Sequence, residues 1–208
     1  MATIEQPASS RLRLGQRSNG MLLSPWEFDN ADFEPGWRYE LVYGVLIVNP
    51  SPSIRERDPN EELGRLLRNY QESHPQGAAL DCTVSEQTVN IGPHRRRVDR
   101  AIWAGLGRLP HENETPTITV EFVSEGKQNQ QRDYQIKRDE YRTAGVKEYW
   151  ILDRFAHTFA VYHFDGGKMA NRVFQRDEPY ATPLLPGFVV PLTRLFDLAD
   201  RWPPLTDT

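Results

Sequence analysis

The sequence holds a single cysteine, Cys82, which excludes an internal disulfide and a cysteine-rich zinc site. Its five histidines are never closer than six residues, so neither an HExxH nor an HxH metal pair exists. There is no GxSxG elbow for a serine nucleophile, and no GxGxxG or Walker loop to cradle a nucleotide. No apolar run approaches the ~18 residues of a membrane span, and no charged-then-apolar leader stands at the N-terminus. These absences predict a soluble, cytoplasmic protein of a reducing compartment with no membrane partner. Any chemistry must run on carboxylates, Lys and Arg.

What is present suits one large domain. The chain has 208 residues, 38% of them hydrophobic and 26% charged, with 25 basic and 29 acidic side chains giving a net charge of −4. Residues 1–24 are polar and aperiodic and read as a flexible arm. A single domain is expected over 25–200, with a tail at 201–208. Strand formers flank Gly44 in residues 38–48, predicting a hairpin. Leu63, Leu66, Leu67 and Tyr70 have the spacing of an amphipathic helix over 60–73. Strands are predicted at 80–91, 97–104 and 117–124, the first two joined by an arginine-rich turn at 92–97. A second helix follows over 129–144, ended by Gly145. Paired strands at 148–153 and 158–164, a short strand at 172–176 and a helix at 192–199 complete an α/β pattern.

Three positions fit poorly in an ordinary core. Glu121 lies mid-strand in Thr117–Ser124, on the face opposite Ile118, Val120 and Phe122. A buried Glu needs a partner or a metal; the alternative is an edge strand with one wet face. Asp99 lies in a strand with Val98 and Ile102 on one face and Asp99, Ala101 and Trp103 on the other. Asp is depleted from strand interiors, and the plain alternative is a salt bridge to Arg97 or Arg100. At about 100° per residue, Asp133, Tyr134, Ile136, Lys137, Glu140, Tyr141 and Ala144 share one side of the second helix. Lys137 is thus central in the stripe facing the sheet, where it needs an anion, and Glu121 is the nearest candidate. The alternative is a Lys snorkelling from the stripe's edge. Two carboxylates and a Lys converging at one end of a sheet suit Mg²⁺ or Mn²⁺ and the hydrolysis of a phosphodiester.

Tyr39-Glu-Leu-Val-Tyr-Gly44, Val98-Asp99, Val120-Glu-Phe-Val-Ser124, Arg132-Asp133, Lys137, Tyr141 and Ala144-Gly-Val-Lys-Glu-Tyr-Trp-Ile-Leu-Asp153 resemble the Uma2 family of the PD-(D/E)XK nuclease superfamily. The resemblance runs from about Trp26 to about Phe196. It implies a restriction-endonuclease-like α/β core, a central mixed sheet flanked by helices, with an N-terminal hairpin and a C-terminal strand and helix extension. It implies that Asp99 and Glu121 bind Mg²⁺ (or Mn²⁺), that Glu40 assists, and that Lys137 serves as the motif lysine, moved from position 123 onto the helix. It further implies a DNA substrate and a homodimer. The chain departs from the family at Val98, where Pro is usual, at Tyr43-Gly44, at Ser124-Glu-Gly-Lys127, and after Pro52, where a frequent His is missing.

Residues 91–150 carry 11 basic against 9 acidic side chains, a balance of +2. A DNA-binding face is accordingly expected around Arg97, Arg100, Arg132 and Arg138, with a solvated arginine-rich turn as the alternative. The sequence thus predicts a metal-dependent DNA endonuclease. Two other readings compete: an inactive nucleic-acid-binding or scaffold protein that keeps the fold, and a hydrolase of another phosphate ester.

Overall fold

A computed structural model describes residues 11–124 and 132–202. The chain divides into two compact units, one made of residues up to Ser51 together with Pro93–Arg95, the other of Pro52–Gly92 and the residues from Arg96 onward.

In the first unit, β1 (Arg13–Leu14) pairs in parallel with β2 (Asp32–Phe33). Between them lies the short helix α1 (Pro25–Asp29), whose start is written in Ser24-Pro-Trp-Glu27. The Ser24 hydroxyl accepts from the Glu27 amide at 3.2 Å, and Glu27 accepts in return from the Ser24 amide at 2.7 Å. The predicted hairpin is β3 (Trp37–Val42) and β4 (Val45–Pro50). Its two-residue loop needs positive φ twice, and Tyr43 and Gly44 adopt +50° and +76°. Glycine takes that conformation freely, whereas Tyr43 is held there from outside. Its amide donates to His94 Nδ1 at 3.1 Å, and its ring meets the imidazole edge-on. Leu14, Leu23, Phe28, Tyr39, Leu41 and Leu46 form the unit's core. Residues 11–24 are therefore folded rather than a flexible arm. Leu14 alternates with Leu12 between arginines and Leu23 closes the short run Met21-Leu22-Leu23, segments too brief to mark either as buried.

The second unit is built on a mixed sheet in the order β10-β9-β8-β7-β6, with β5 also paired to β6. The strands are β5 (Leu80–Ile91), β6 (His94–Ala104), β7 (Ile118–Phe122), β8 (Glu148–Asp153), β9 (Thr158–Asp165) and β10 (Lys168–Gln175). Strands β7 and β8 pair in parallel; β6–β7, β8–β9 and β9–β10 are antiparallel. Helix α2 (Ile54–Ser73) lies against one face with α4 (Leu192–Asp200). Leu63, Leu67, Leu195 and Phe196 pack there with Ile118, Val120, Phe122 and Trp150. A π-helical stretch (Arg132–Lys137) continues into α3 (Arg138–Ala144). It brings Tyr141 to the other face, among Val98, Ala101, Trp103, Tyr149 and Ile151. Strands β11 (Tyr180–Ala181) and β12 (Val189–Val190) form a small separate pair.

Several boundaries move for physical reasons. Helix α2 starts six residues before the predicted Asn60. Ser53-Ile-Arg-Glu56 is a capping box, with the Ser53 amide donating to Glu56 at 2.6 Å, so the helix begins ahead of Pro59 and absorbs it. The arginine-rich turn shrinks to Gly92-Pro93, and His94–Arg97 are already strand. Strand β10 starts at Lys168 rather than 172 because Gly166 and Gly167 supply both positive φ angles of a tight hairpin. The expected start of the second helix, 129–131, lies outside the described residues. The tail is anchored at its start: Trp202 donates to Asp58 at 2.8 Å, and Arg55 donates to the Trp202 carbonyl.

Glu62 ties α2 to α4 by bridging Arg65 and Arg194. The Arg65 guanidinium, then that of Arg194, holds the Glu62 carboxyl down to about 2. A folded-state value below the unfolded one stabilises the protein at pH above the ordinary carboxylate range, and the gain is lost as pH falls toward 2. Glu62→Gln is therefore expected to destabilise at pH 7 and to flatten the acid limb between about pH 4.5 and 2. Denaturant melts at stepped pH check this, and parallel acid limbs for both proteins would refute it.

Candidate active site

The candidate site forms where the β6–β7 ladder stops. Cross-strand pairing runs from Ile102–Ile118 to Arg100–Val120 and goes no further. At the next position the Asp99 carboxylate takes over, its Oδ2 accepting from the Phe122 amide at 2.6 Å. From the other side Asn60 Nδ2 donates to the Asp99 carbonyl at 2.8 Å. A side chain in place of a strand bond lets the two strands part, and it fixes one carboxylate beside the residue that follows Glu121. The same break explains a misassigned face. Val98 packs with Ala101 and Trp103, opposite Ile102, because strict alternation fails across Asp99 and Arg100.

Glu121 sits on a central strand every residue of which is buried, so the wet-edge alternative is excluded. Its Oε1 accepts from Lys137 Nζ at 2.8 Å and from the Tyr141 hydroxyl at 2.8 Å. Lys137 also reaches Asp133 Oδ1 at 3.5 Å, and Tyr149 donates to the Asp133 carbonyl at 3.0 Å. Glu121 and Asp99 are each 3% exposed and Lys137 2%, so Lys137 is inward and paired, not snorkelling. The π-helical stretch turns less per residue than an α-helix, and such turns recur at functional sites. It stacks Asp133, Lys137 and Tyr141 toward the sheet and throws Ile136 out to 45% exposure, contrary to the α-helical count. Asp133 and Tyr141 were both in the predicted stripe, yet only the structure makes them partners of the Lys–Glu pair.

Glu40 is buried on β3 of the first unit, in register with Ile47. The expected basic face is largely dismantled. Arg100 is 4% exposed and directed to α2, where it donates to the Asn60 side chain at 2.7 Å and the Asn60 carbonyl at 2.8 Å. That placement follows from regular alternation, since Arg100 lies two residues from Ile102 and opposite Val120, both on the α2 face. Arg97 is half-buried and pairs with Glu86 at 3.3 Å. Arg138 pairs with Asp139 at 2.8 Å. The Arg132 side chain lies outside the described residues. Neighbouring arginines are likewise committed: Arg95 to Asp29, and Arg96 to Glu140 through two buried bonds of 2.5 and 2.8 Å. Another buried carboxylate, Glu148, accepts from Trp150, Tyr180 and Thr182 and faces His163, an arrangement that pins β11 to β8.

Among the described residues no three His, Cys, Asp or Glu side chains are grouped closely enough to hold a metal ion. The donors available are hard carboxylate oxygens of Asp99 and Glu121. They suit Mg²⁺, which commonly takes one or two carboxylates and completes its shell with water and substrate phosphate. They do not suit a closed cage of three protein side chains.

The family model described as "Uma2: Putative restriction endonuclease" matches residues 25–193. No curated protein matches the sequence. Among solved structures, a protein from Anabaena variabilis described as "a putative nuclease belonging to DUF820" superposes with a TM-score of 0.66 at 15% sequence identity, covering 85% of this chain and 99% of that one. At that identity the likeness shows the fold, a large mixed sheet flanked by helices. No helix among the described residues is long and apolar enough to cross a membrane.

Proposed function

The chain belongs to the Uma2 family, and from that premise we propose that it is a divalent-metal-dependent endonuclease hydrolysing phosphodiester bonds of DNA. The observation that carries the reading is the buried Lys137–Glu121 pair at 2.8 Å, with Asp99 held at the amide of the very next residue, Phe122. An inward Lys on a carboxylate is costly to bury and is weak evidence for stability. It is what a phosphate-hydrolysing centre requires, because the ammonium counters charge developing on the attacked phosphate.

Asp99 and Glu121 would hold Mg²⁺ or Mn²⁺. When bound, such an ion supplies polarisation of the phosphate oxygens and a water of lowered pKa. Lys137 positions the attacking water and faces the phosphate. Tyr141 and Asp133 orient Lys137 and Glu121, as their hydrogen bonds already do. Water oxygen bonds to phosphorus and gives up a proton to solvent, the bond from phosphorus to the 3′ oxygen breaks, and that oxygen takes up a proton from solvent. The family resemblance then gives a 5′-phosphate and a 3′-hydroxyl. Glu40 is assigned an auxiliary role on the resemblance alone, and Glu40→Gln tests it. Two copies related by a two-fold axis suit the cutting of both strands, so a homodimer is proposed; light scattering at a monomer mass would refute it.

A nicking and linearisation assay on supercoiled plasmid, with Mg²⁺, Mn²⁺ or EDTA, tests the activity. Asp99→Asn is the informative control, because an Asn oxygen still accepts from the Phe122 amide while the charge is gone. Cleavage that needs metal and falls away in Asp99→Asn supports the proposal; EDTA-resistant cleavage equal in both proteins refutes it. One observation favours a second reading, an inactive nucleic-acid-binding or scaffold protein: Lys137 already neutralises Glu121, and no third ligand joins the carboxylates among the described residues. That reading predicts no metal binding in calorimetry.

A further inference from the structure

Arg100 differs from the other buried arginines among the described residues. Arg95 and Arg96 each meet a carboxylate, whereas every hydrogen-bond acceptor of Arg100 among the described residues is neutral. These acceptors are the Asn60 side-chain oxygen, the Asn60 carbonyl and, at 3.3 Å, the Thr83 hydroxyl. Three of its five N–H groups are used in this way. A charge buried without an ionic partner is costly.

Arg68 converges on the same spot, donating to the Thr83 carbonyl at 3.2 Å. Two guanidinium groups thus meet at Thr83 with neutral groups accepting from both. They line a cavity of about 450 Å³ between α2 and β5, together with Arg65, Thr83, Ser85 and one acid, Glu61. Arg65 is already bound to Glu62, so Arg68 and Arg100 share the single acid Glu61 and the cavity keeps one excess positive charge. The helix makes room for them at Gly64. A Cβ there would stand 2.6 Å from the Arg100 guanidinium nitrogens.

We propose that this cavity is a phosphate-binding site in which Arg68 and Arg100, with the Ser85 hydroxyl at the rim, take a phosphate of a nucleic-acid strand. A guanidinium fork matches phosphate oxygens bidentately, and a dianion or diester placed between the two arginines removes their mutual repulsion. The site lies on the strand of Asp99: Arg100 is the next residue, and Asn60 bonds to both. Arg100 faces α2 whereas Lys137 and Tyr141 lie on the other face of the sheet, so a strand held here would be gripped across β6 from the candidate centre. The choice of a strand over free phosphate rests on the nuclease reading; the affinity for phosphate does not.

The test uses the full chain in EDTA, so that neither cleavage nor metal intervenes. Thermal shift with inorganic phosphate, against chloride at equal ionic strength, reads the cavity. Anisotropy of a fluorescein-labelled single-stranded DNA 12-mer and of its neutral methylphosphonate analogue reads the strand. Arg68 is exposed, so Arg68→Glu is expected to fold. Gly64→Ala moves Arg100 without removing any charge. The expected result is phosphate stabilisation of the wild type that both variants lose. DNA binding should weaken about tenfold in Arg68→Glu, with a salt slope smaller by about 1, and the methylphosphonate should not bind. Wild-type phosphate and DNA binding in Arg68→Glu would overturn the site. Phosphate binding governed by Arg68 without any 12-mer binding would uphold the cavity and overturn the strand as its ligand. Failure of the nuclease reading looks different: no metal-dependent cleavage by the wild type while Arg68-dependent phosphate binding persists.

Discussion

Glu121→Gln is expected to abolish metal-dependent cleavage, a loss on the order of 10³-fold or more, while leaving the protein folded. The amide oxygen can still accept from Tyr141 and from Lys137, both of which lie 2.8 Å from Oε1. What disappears is the negative charge, and with it the attraction for a divalent cation. Lys137 keeps an anionic partner in Asp133 at 3.5 Å, so the buried ammonium is not stranded. The expected cost in stability is therefore small, and the lost turnover cannot be blamed on unfolding. Plasmid nicking beside a circular dichroism melt checks both halves. Turnover within tenfold of wild type would remove Glu121 from the centre.

Lys137→Met is the complementary case, and there the order of effects reverses. Methionine fills the volume of the lysine stem but leaves the Glu121 carboxylate buried at 3% exposure without its ammonium. Breaking a buried ion pair from one side costs about 3–5 kcal/mol, because a charge remains that water cannot reach. Lys137→Met should thus be much less stable than Glu121→Gln, although both abolish the same ion pair. The double variant Glu121→Gln/Lys137→Met removes both charges and should recover most of that loss, since a neutral replacement for a buried pair is often no worse than the pair itself. It should recover no activity. Urea melts of the four proteins, read as a double-mutant cycle, give the coupling. Additive losses would mean that the pair is not coupled in the folded protein, and cleavage by Lys137→Met at the wild-type rate would remove the lysine from the mechanism.

The contrast between these variants depends on where the helix turns. Angular counting finds Lys137 inside, since an α-helical count and the π-helical stretch agree on positions four apart. Asp133, Lys137 and Tyr141 keep that spacing, and all three are buried. Ile136 does not survive the change of period and is exposed. No side chain in residues 132–137 announces a π turn.

Local grammar carried much of the fold. The Gly44 hairpin, the glycine-rich turn before β10 and the Gly145 helix stop all depend on residues within a few positions of one another. Local signals suffice there because turn type and strand period are short-range properties. The Ser53 and Ser24 capping boxes were equally legible and would have placed both helix starts. The two carboxylates and the lysine of the candidate site also stood out in the sequence, since each violates the composition expected of its element.

What each of those residues meets was decided only by tertiary structure. Asp99 leaves the strand pattern because Phe122, 23 positions away, offers it an amide. Arg100 turns from an expected surface contact into the floor of a cavity because Asn60 and Thr83 wait on α2 and β5. Leu14 and Leu23, unremarkable in a polar stretch, become core once β3 and β4 cover them. Sequence spacing reports which face of its own element a side chain occupies. The partner on that face comes from another element, and the free energy of a buried charge is set by that partner.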